Sequence, residues 1–276
     1  SKYIAKKLVK LGICHGFSVT GGGAMHLNNG LGHQEGLTMT YNHHEQACAM
    51  AAEAYARINN QIAVVCVTTG PGGSNTITGV LGGWLDSIPM FILSGQVRYD
   101  WTARYSNVGI RAMGDQEFDI CKSIECMTKY SEMVIEPMRI RYLIEKCMYL
   151  AMNGRPGPVW LDIPLNVQGA IIETDSLRHY DPSEDGYEIP SAPTEAQVQE
   201  ILAKIQHSHR PVIYVGEGVR LSGAYASFLQ LIDKLHIPVV TSWNAHDLLW
   251  DDHPLYCGRP GTVGTRGGNF VVQYSD

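Results

Sequence analysis

The sequence predicts an α/β protein built on a doubly wound parallel sheet, and three observations predict it. Strand-like apolar runs alternate with helix-like periodic segments, and no tight hairpin joins two runs. Polar junctions interrupt that alternation at His43-His44-Glu45-Gln46 and at the glycine-bearing Thr68-Thr69-Gly70-Pro71-Gly72, with Asp86-Ser87-Ile88-Pro89 a third. Apolar residues make up 45% of the 276, enough for a sizeable core.

Taken in order, Ile4, Leu8 and Leu11 recur at helical spacing, and Gly12 ends that helix. Phe17-Ser18-Val19 reads as a short strand leading through Thr20 into Gly21-Gly22-Gly23. A glycine triplet admits backbone conformations closed to other residues; by itself it reads equally as a flexible turn. Leu37 to Tyr41 is β-like, and Gln46 to Ile58 is an alanine-rich helix. Glu45 therefore falls at the first turn of that helix, at the carboxyl end of a strand. In open α/β sheets that edge is where ligands bind. The plain alternative is a carboxylate that complements the helix dipole. Ile62 to Val67 and Met90 to Leu93 read as buried strands. Between them lies a helix from Asn75 to Leu85, with Ile77, Val80, Leu81 and Trp84 on one face. Tyr99 to Met113 lacks periodicity and predicts a long loop. Lys129 to Val134 suggests an edge strand, Arg139 to Met152 a helix, and Val159 to Ile163 a last apolar strand ended by Pro164.

Composition shifts after Leu165. The chain divides into a first domain at 1–168, a Pro/Asp-rich linker at 169–193 and a second domain at 194–276. Thr194 is placed to cap a helix carrying Val198, Ile201, Leu202 and Ile205. Pro211 to Val215 and Ile237 to Thr241 are strands, the first running into Gly216-Glu217-Gly218. This second domain has few strands for a doubly wound fold, so it reads as a partial Rossmann-like unit, a piece of something longer. Ser1 in place of methionine also hints at processing.

Bulk properties exclude several classes. Net charge is −6 and no Lys/Arg block is present, which argues against nucleic acid and acidic membranes. No apolar run approaches the ~20 residues of a membrane span, and no signal-peptide core opens the chain. Seven scattered cysteines without CxxC spacing indicate neither a zinc site nor a disulfide framework, so a cytoplasmic setting is expected. His43 and His44 are adjacent on a strand end and point apart, which favours local support over metal binding.

Six blocks in register carry a family resemblance: Gly21-Gly22-Gly23-Ala24, His44-Glu45-Gln46, Thr68 to Asn75, Asp86-Ser87-Ile88-Pro89, Gly114-Asp115-Gln116-Glu117, and Gly154 to Pro164. With these the chain resembles the amino-terminal, pyrimidine-binding domain of thiamine-diphosphate enzymes of the acetolactate synthase group, followed by part of the middle domain. The resemblance implies that Glu45 hydrogen-bonds a pyrimidine nitrogen and shares a proton there, favouring the cofactor's imino form. Such a carboxyl group needs a pKa above its reference of about 4.3; burial near Ala47, Cys48 and Ala49 would raise it and the helix amino terminus would oppose the rise, and the implied role requires that burial prevail. The same likeness implies Thr20, Gly23, Thr68, Pro71 and Asn75 as cofactor contacts and places Gln116 near the reacting end. Two departures stand out: Gly21 where many relatives have proline, and Asp115 where many have phenylalanine.

In the family, the diphosphate and its Mg2+ bind a third domain of the partner subunit through a Gly-Asp-Gly segment. No such segment follows Gly186, so no residue of this chain is assigned to metal. The chain is expected to be inactive alone and completed in a homodimer or homotetramer. Glycines 216, 218, 258, 261 and 264 keep FAD open as a further cofactor. The activity implied is decarboxylation of a 2-keto acid such as pyruvate, then carboligation. Simple 2-keto-acid decarboxylation and a non-catalytic assembly module are the alternatives.

Overall fold

A computed structural model describes residues 1–186 and 191–276. They fall into two compact units, Ser1–Ile189 and Pro190–Asp276. Residues 187–190 of the expected linker lie outside the described residues.

The first unit runs α1 (Lys2–Lys10), β1 (His15–Ser18), α2 (Met25–Gly32), β2 (Thr38–Tyr41), α3 (Glu45–Asn59) and β3 (Val64–Val67). It continues with α4 (Pro71–Asn75), α5 (Ile77–Leu85), β4 (Phe91–Gln96), α6 (Ala103–Ser106) and α7 (Ile120–Ile124). The last elements are β5 (Tyr130–Met133), α8 (Ile140–Met152), β6 (Val159–Pro164) and α9 (Leu165–Gln168). All six strands are parallel, in the order β2-β1-β3-β4-β6-β5. The direction of strand addition reverses beside β1, which opens a crevice at the carboxyl ends of β1 and β3. Three central strands, β3, β4 and β6, are buried along their whole length because helices cover both faces, whereas β1 alternates. Val64 to Val67, Phe91 to Leu93 and Val159 to Leu161 are all buried.

Two expectations are corrected. The helix expected at Asn75–Leu85 is two helices, broken at Thr76, whose hydroxyl donates to the Gly73 carbonyl at 2.5 Å. Its buried face is Gly79, Val80 and Gly83, while Leu81 and Trp84 are exposed. The reason is close approach: a Cβ on Gly79 would stand 2.6 Å from the Ala49 Cβ. Small residues on both helices bring α3 and α5 together, with Cys48, Ala49, Ala52 and Ala56 turned inward on α3. Bulky residues cannot occupy that seam.

The start of the expected linker is fastened to the first unit. Leu177 and Tyr180 are buried, the Tyr180 amide donates to Glu145 at 3.0 Å, and Lys146 pairs with Asp185 at 2.7 Å. Glu145 also accepts from Lys7 at 2.5 Å and Arg141 at 3.1 Å. Burial pushes its carboxyl up, but these partners outweigh burial and hold it at about 2.

The second unit contains α10 (Glu195–His207), β7 (Ile213–Val215), α11 (Gly218–Leu221), α12 (Tyr225–Leu235), β8 (Val239–Thr241) and α13 (Arg266–Gln273). β7 and β8 pair in parallel over a small core of Val215, Phe228, Ile232, Val239 and Leu248. Thr194 caps α10 in a reciprocal capping box with Gln197. Val198, Ile201 and Leu202 on that helix are exposed. No helix among the described residues is long and apolar enough to cross a membrane.

Candidate cofactor site at the carboxyl ends of the strands

The residues singled out in the first unit come from the loops that follow β1, β2, β3 and β4. This is the edge at which an open α/β sheet offers a crevice. Glu45 is the first residue of α3, and extended His44 caps the helix. The His44 Nδ1 accepts from the Gln46 amide at 3.1 Å, so this histidine serves the helix end. From α4, the Asn75 side chain donates to Glu45 Oε2 at 3.0 Å. Glu45 Oε1 has no hydrogen-bond partner among the described residues. A Cβ on Gly72 would lie 3.7 Å from Oε1 and only 2.8 Å from the Thr68 methyl. Glycine therefore keeps the floor between Thr68 and the carboxylate clear. Glu45 is half-buried, and Asn75 and Pro71 are exposed.

The glycine loop after β1 is packed, not slack. The Gly23 amide donates to Thr68 Oγ1 at 3.1 Å. A Cβ on Gly23 would sit 1.9 Å from Thr69 Oγ1, and one on Gly21 would sit 2.5 Å from the Thr68 Cβ. A Cβ on Gly95 would meet the Gly23 carbonyl oxygen at 2.1 Å. These glycines answer to contact with β3 and β4.

Gln116 reaches the same turn from a separate loop. It is exposed, with φ of 56°, a left-handed conformation uncommon outside glycine. Its carbonyl oxygen lies where a Cβ on Gly70 would be, at 2.2 Å, and Gly70 itself has φ of 56°. The Gln116 loop and the Pro71 turn are therefore interlocked through backbone. Thr20 is exposed just beyond β1.

Several positioning residues were not legible beforehand. Buried Glu117 accepts from the amides of Ala103 at 3.0 Å and Met113 at 2.8 Å, organising the long loop. Gln168 donates to the carbonyls of Gly23 and Ile163, both at 2.6 Å, bracing the glycine loop against β6. Asp162, Ser94, Gln96 and Trp160 share one buried face of β4 and β6. Ser94 donates to Asp162 at 2.6 Å, Gln96 donates to it at 3.1 Å, and the Trp160 indole donates to Ser94 at 2.7 Å. Burial pushes the Asp162 carboxyl up to about 7, against the pull of Ser94 and Gln96. The one available signal was a carboxylate inside an otherwise apolar strand.

Two family models match the chain. Residues 1–122 match the thiamine pyrophosphate enzyme N-terminal TPP binding domain, and residues 198–276 match the thiamine pyrophosphate enzyme central domain. The chain belongs to the thiamine pyrophosphate enzymes and carries their N-terminal and central domains. It is 31% identical to the acetolactate synthase large subunit of Lactococcus lactis, over 100% of this chain and 46% of that protein. It is 34% identical to an acetolactate synthase of Arthrospira platensis, over 84% of this chain and 39% of that protein. Identity to the acetolactate synthase isozyme 3 large subunit of Escherichia coli is 29%, over 100% of this chain and 47% of that protein. The chain thus spans about half the length of the curated relatives it matches.

Proposed function

We propose that this chain supplies the pyrimidine-binding part of a thiamine-diphosphate enzyme acting on a 2-keto acid. The reaction is acetolactate synthase-like: decarboxylation of pyruvate, then carboligation. The observation that carries the reading is the Glu45–Asn75 pair at the carboxyl edge of the sheet, with one carboxylate oxygen fixed and the other open. That arrangement fits an aminopyrimidine ring, whose protonated ring nitrogen needs an acceptor at a fixed place.

When bound, thiamine diphosphate supplies the reactive carbon and the electron sink of its thiazolium ring. The protein supplies proton control and orientation. Glu45 holds the shared proton at Oε1, Asn75 orients the carboxylate through Oε2, and Gly72 leaves room for a flat ring. Thr20, Gly23, Thr68 and Pro71 form the walls, and Gln116 faces the reacting end. The diphosphate and Mg2+ are held by residues outside this chain, on a further domain of a second copy. The exposure of Asn75, Pro71 and Gln116 supports a site completed by another surface. With this goes the division into a pyrimidine-binding domain at 1–168, a connection at 169–193 and a middle domain from 194, a homodimeric or homotetrameric assembly, and a cytoplasmic setting. FAD would belong to the middle domain.

Calorimetric titration of the isolated chain tests the shared site: thiamine diphosphate with Mg2+ binds weakly or not at all. Micromolar, magnesium-dependent binding to the isolated chain would contradict it.

A further inference from the structure

We propose that Gln96 is a positioning residue that clamps the Gln116 loop onto the Gly70 turn, with Asp162 holding the clamp in place. The side-chain amide of Gln96 is 1% exposed and has both hydrogens committed. One goes to the Phe118 carbonyl at 2.8 Å, the other to Asp162 Oδ2 at 3.1 Å. Its carbonyl oxygen accepts from the Val97 amide at 3.0 Å, so the group cannot rotate without losing three bonds. Phe118 lies two residues after Gln116. The clamp thus fixes the chain just beyond the left-handed residue whose carbonyl abuts Gly70.

Asp162 fits the task of orienting a donor. It is fully buried, and among the described residues no cation bonds it; its partners are the Ser94 hydroxyl and the Gln96 amide. Both partners donate, so in this arrangement the carboxyl oxygens act as acceptors. A buried carboxylate held only by neutral donors contributes little to stability compared with an apolar side chain of its size. Such a group persists where it fixes a geometry. Here it selects one orientation of the Gln96 amide, the one that presents a donor to Phe118. The importance of the clamp for catalysis rests on the reading of Gln116 as a site residue; the clamp itself does not.

Hydrogen–deuterium exchange on the whole chain tests it. Three amides report on the loop: Met113, bonded to Glu117; Glu117, bonded to the Gly114 carbonyl; and Ile120, bonded to the Phe118 carbonyl. Gln96→Leu keeps the bulk and removes the clamp. These amides should then exchange about tenfold faster, while Val65 and Cys66 in β3 keep their protection. Asp162→Asn keeps the shape and removes the charge, and should give a smaller acceleration of the same three amides. Ser94→Ala weakens the buried network without touching the loop, and should lower the melting midpoint while leaving the three amides unchanged. Equal acceleration in Ser94→Ala and Gln96→Leu, or none in Gln96→Leu, overturns the proposal. If Gln96→Leu does not fold, Asp162→Asn decides alone: acceleration confined to the loop supports the clamp, and uniform or absent acceleration overturns it. Loop release in Gln96→Leu beside full turnover in Gln116→Ala would discard Gln116 as a site residue and leave the clamp standing.

Discussion

Asn75 donates to Glu45 Oε2 at 3.0 Å across the gap between α4 and α3, and in doing so settles which carboxylate oxygen stays open. The two residues are 30 positions apart, and this bond ties the start of α3 to the end of α4. Asn75→Ala should therefore cost catalysis more than stability. The expected result is an unchanged fold by circular dichroism, and a stability loss of about 1 kcal/mol or less for an exposed bond. In an assembled enzyme kcat should fall, measured as pyruvate consumption. Aspartate at this position should be worse than alanine, because it sets two carboxylates against each other.

Gly79 tests the helix seam. In an exposed helix, glycine to alanine gains roughly 1 kcal/mol of propensity. Here the added Cβ would meet the Ala49 Cβ at 2.6 Å and the Met50 amide nitrogen at 2.9 Å. Gly79→Ala should destabilise by about 1–3 kcal/mol, the range for overpacking. Ala49→Gly in the same chain should recover part of the loss. Urea denaturation of the two single variants and the double variant measures the coupling.

Gly70→Ala should disturb the site without emptying the core. Its Cβ would meet the Gln116 carbonyl at 2.2 Å, and φ of 56° already disfavours a side chain. Backbone must move, and the movable partner is the exposed Gln116 loop. Faster proteolysis within residues 99–119, with β-sheet circular dichroism preserved, is the expected result.

Two carboxyl groups set opposite pH dependences. Glu145 is held at about 2, below its ordinary 4.5. Its contribution is present above about 4.5 and is lost as pH falls towards 2. Asp162 is raised to about 7 from its ordinary 3.8. Its contribution is full below about 4 and is lost as pH rises through 7. Thermal melts at a series of pH values check both. Asp162→Asn should gain on the wild type between pH 5 and 8, and Glu145→Gln should gain on it as pH falls below 4.

Much of the first unit could be read from the chain because its signals are local. Ile62 to Val67 is apolar enough to be a buried strand, and alanine spacing in 46–58 marks a closely packed helix. The edge position of β5 follows from its half-polar character. The family likeness named Glu45 and Asn75, and their bond could be seen only in three dimensions. Gln96, Glu117 and Gln168 escaped because a glutamine or glutamate aimed at a distant backbone carbonyl or amide leaves no periodic trace. The α5 face was misread for a related reason. Leu81 and Trp84 are the larger apolar residues, but the face turned inward carries Gly79, Val80 and Gly83, with Gly79 against Ala49. Asp162 was passed over as part of an apolar run, although a carboxylate in a fully covered strand always needs donors. In the second unit the Thr194 cap was legible from one hydroxyl before an apolar-periodic segment; the exposure of that segment was not.

The most direct measurement is pyruvate consumption by this chain combined with a separately expressed carboxyl-terminal half of an acetolactate synthase large subunit. Thiamine diphosphate and Mg2+ are supplied, and co-migration on size exclusion is verified first. Glu45→Gln should assemble and keep its fold, while turnover falls by about 10²–10⁴, the usual worth of a proton-transfer group. Near-normal turnover in the assembled Glu45→Gln enzyme would contradict the account.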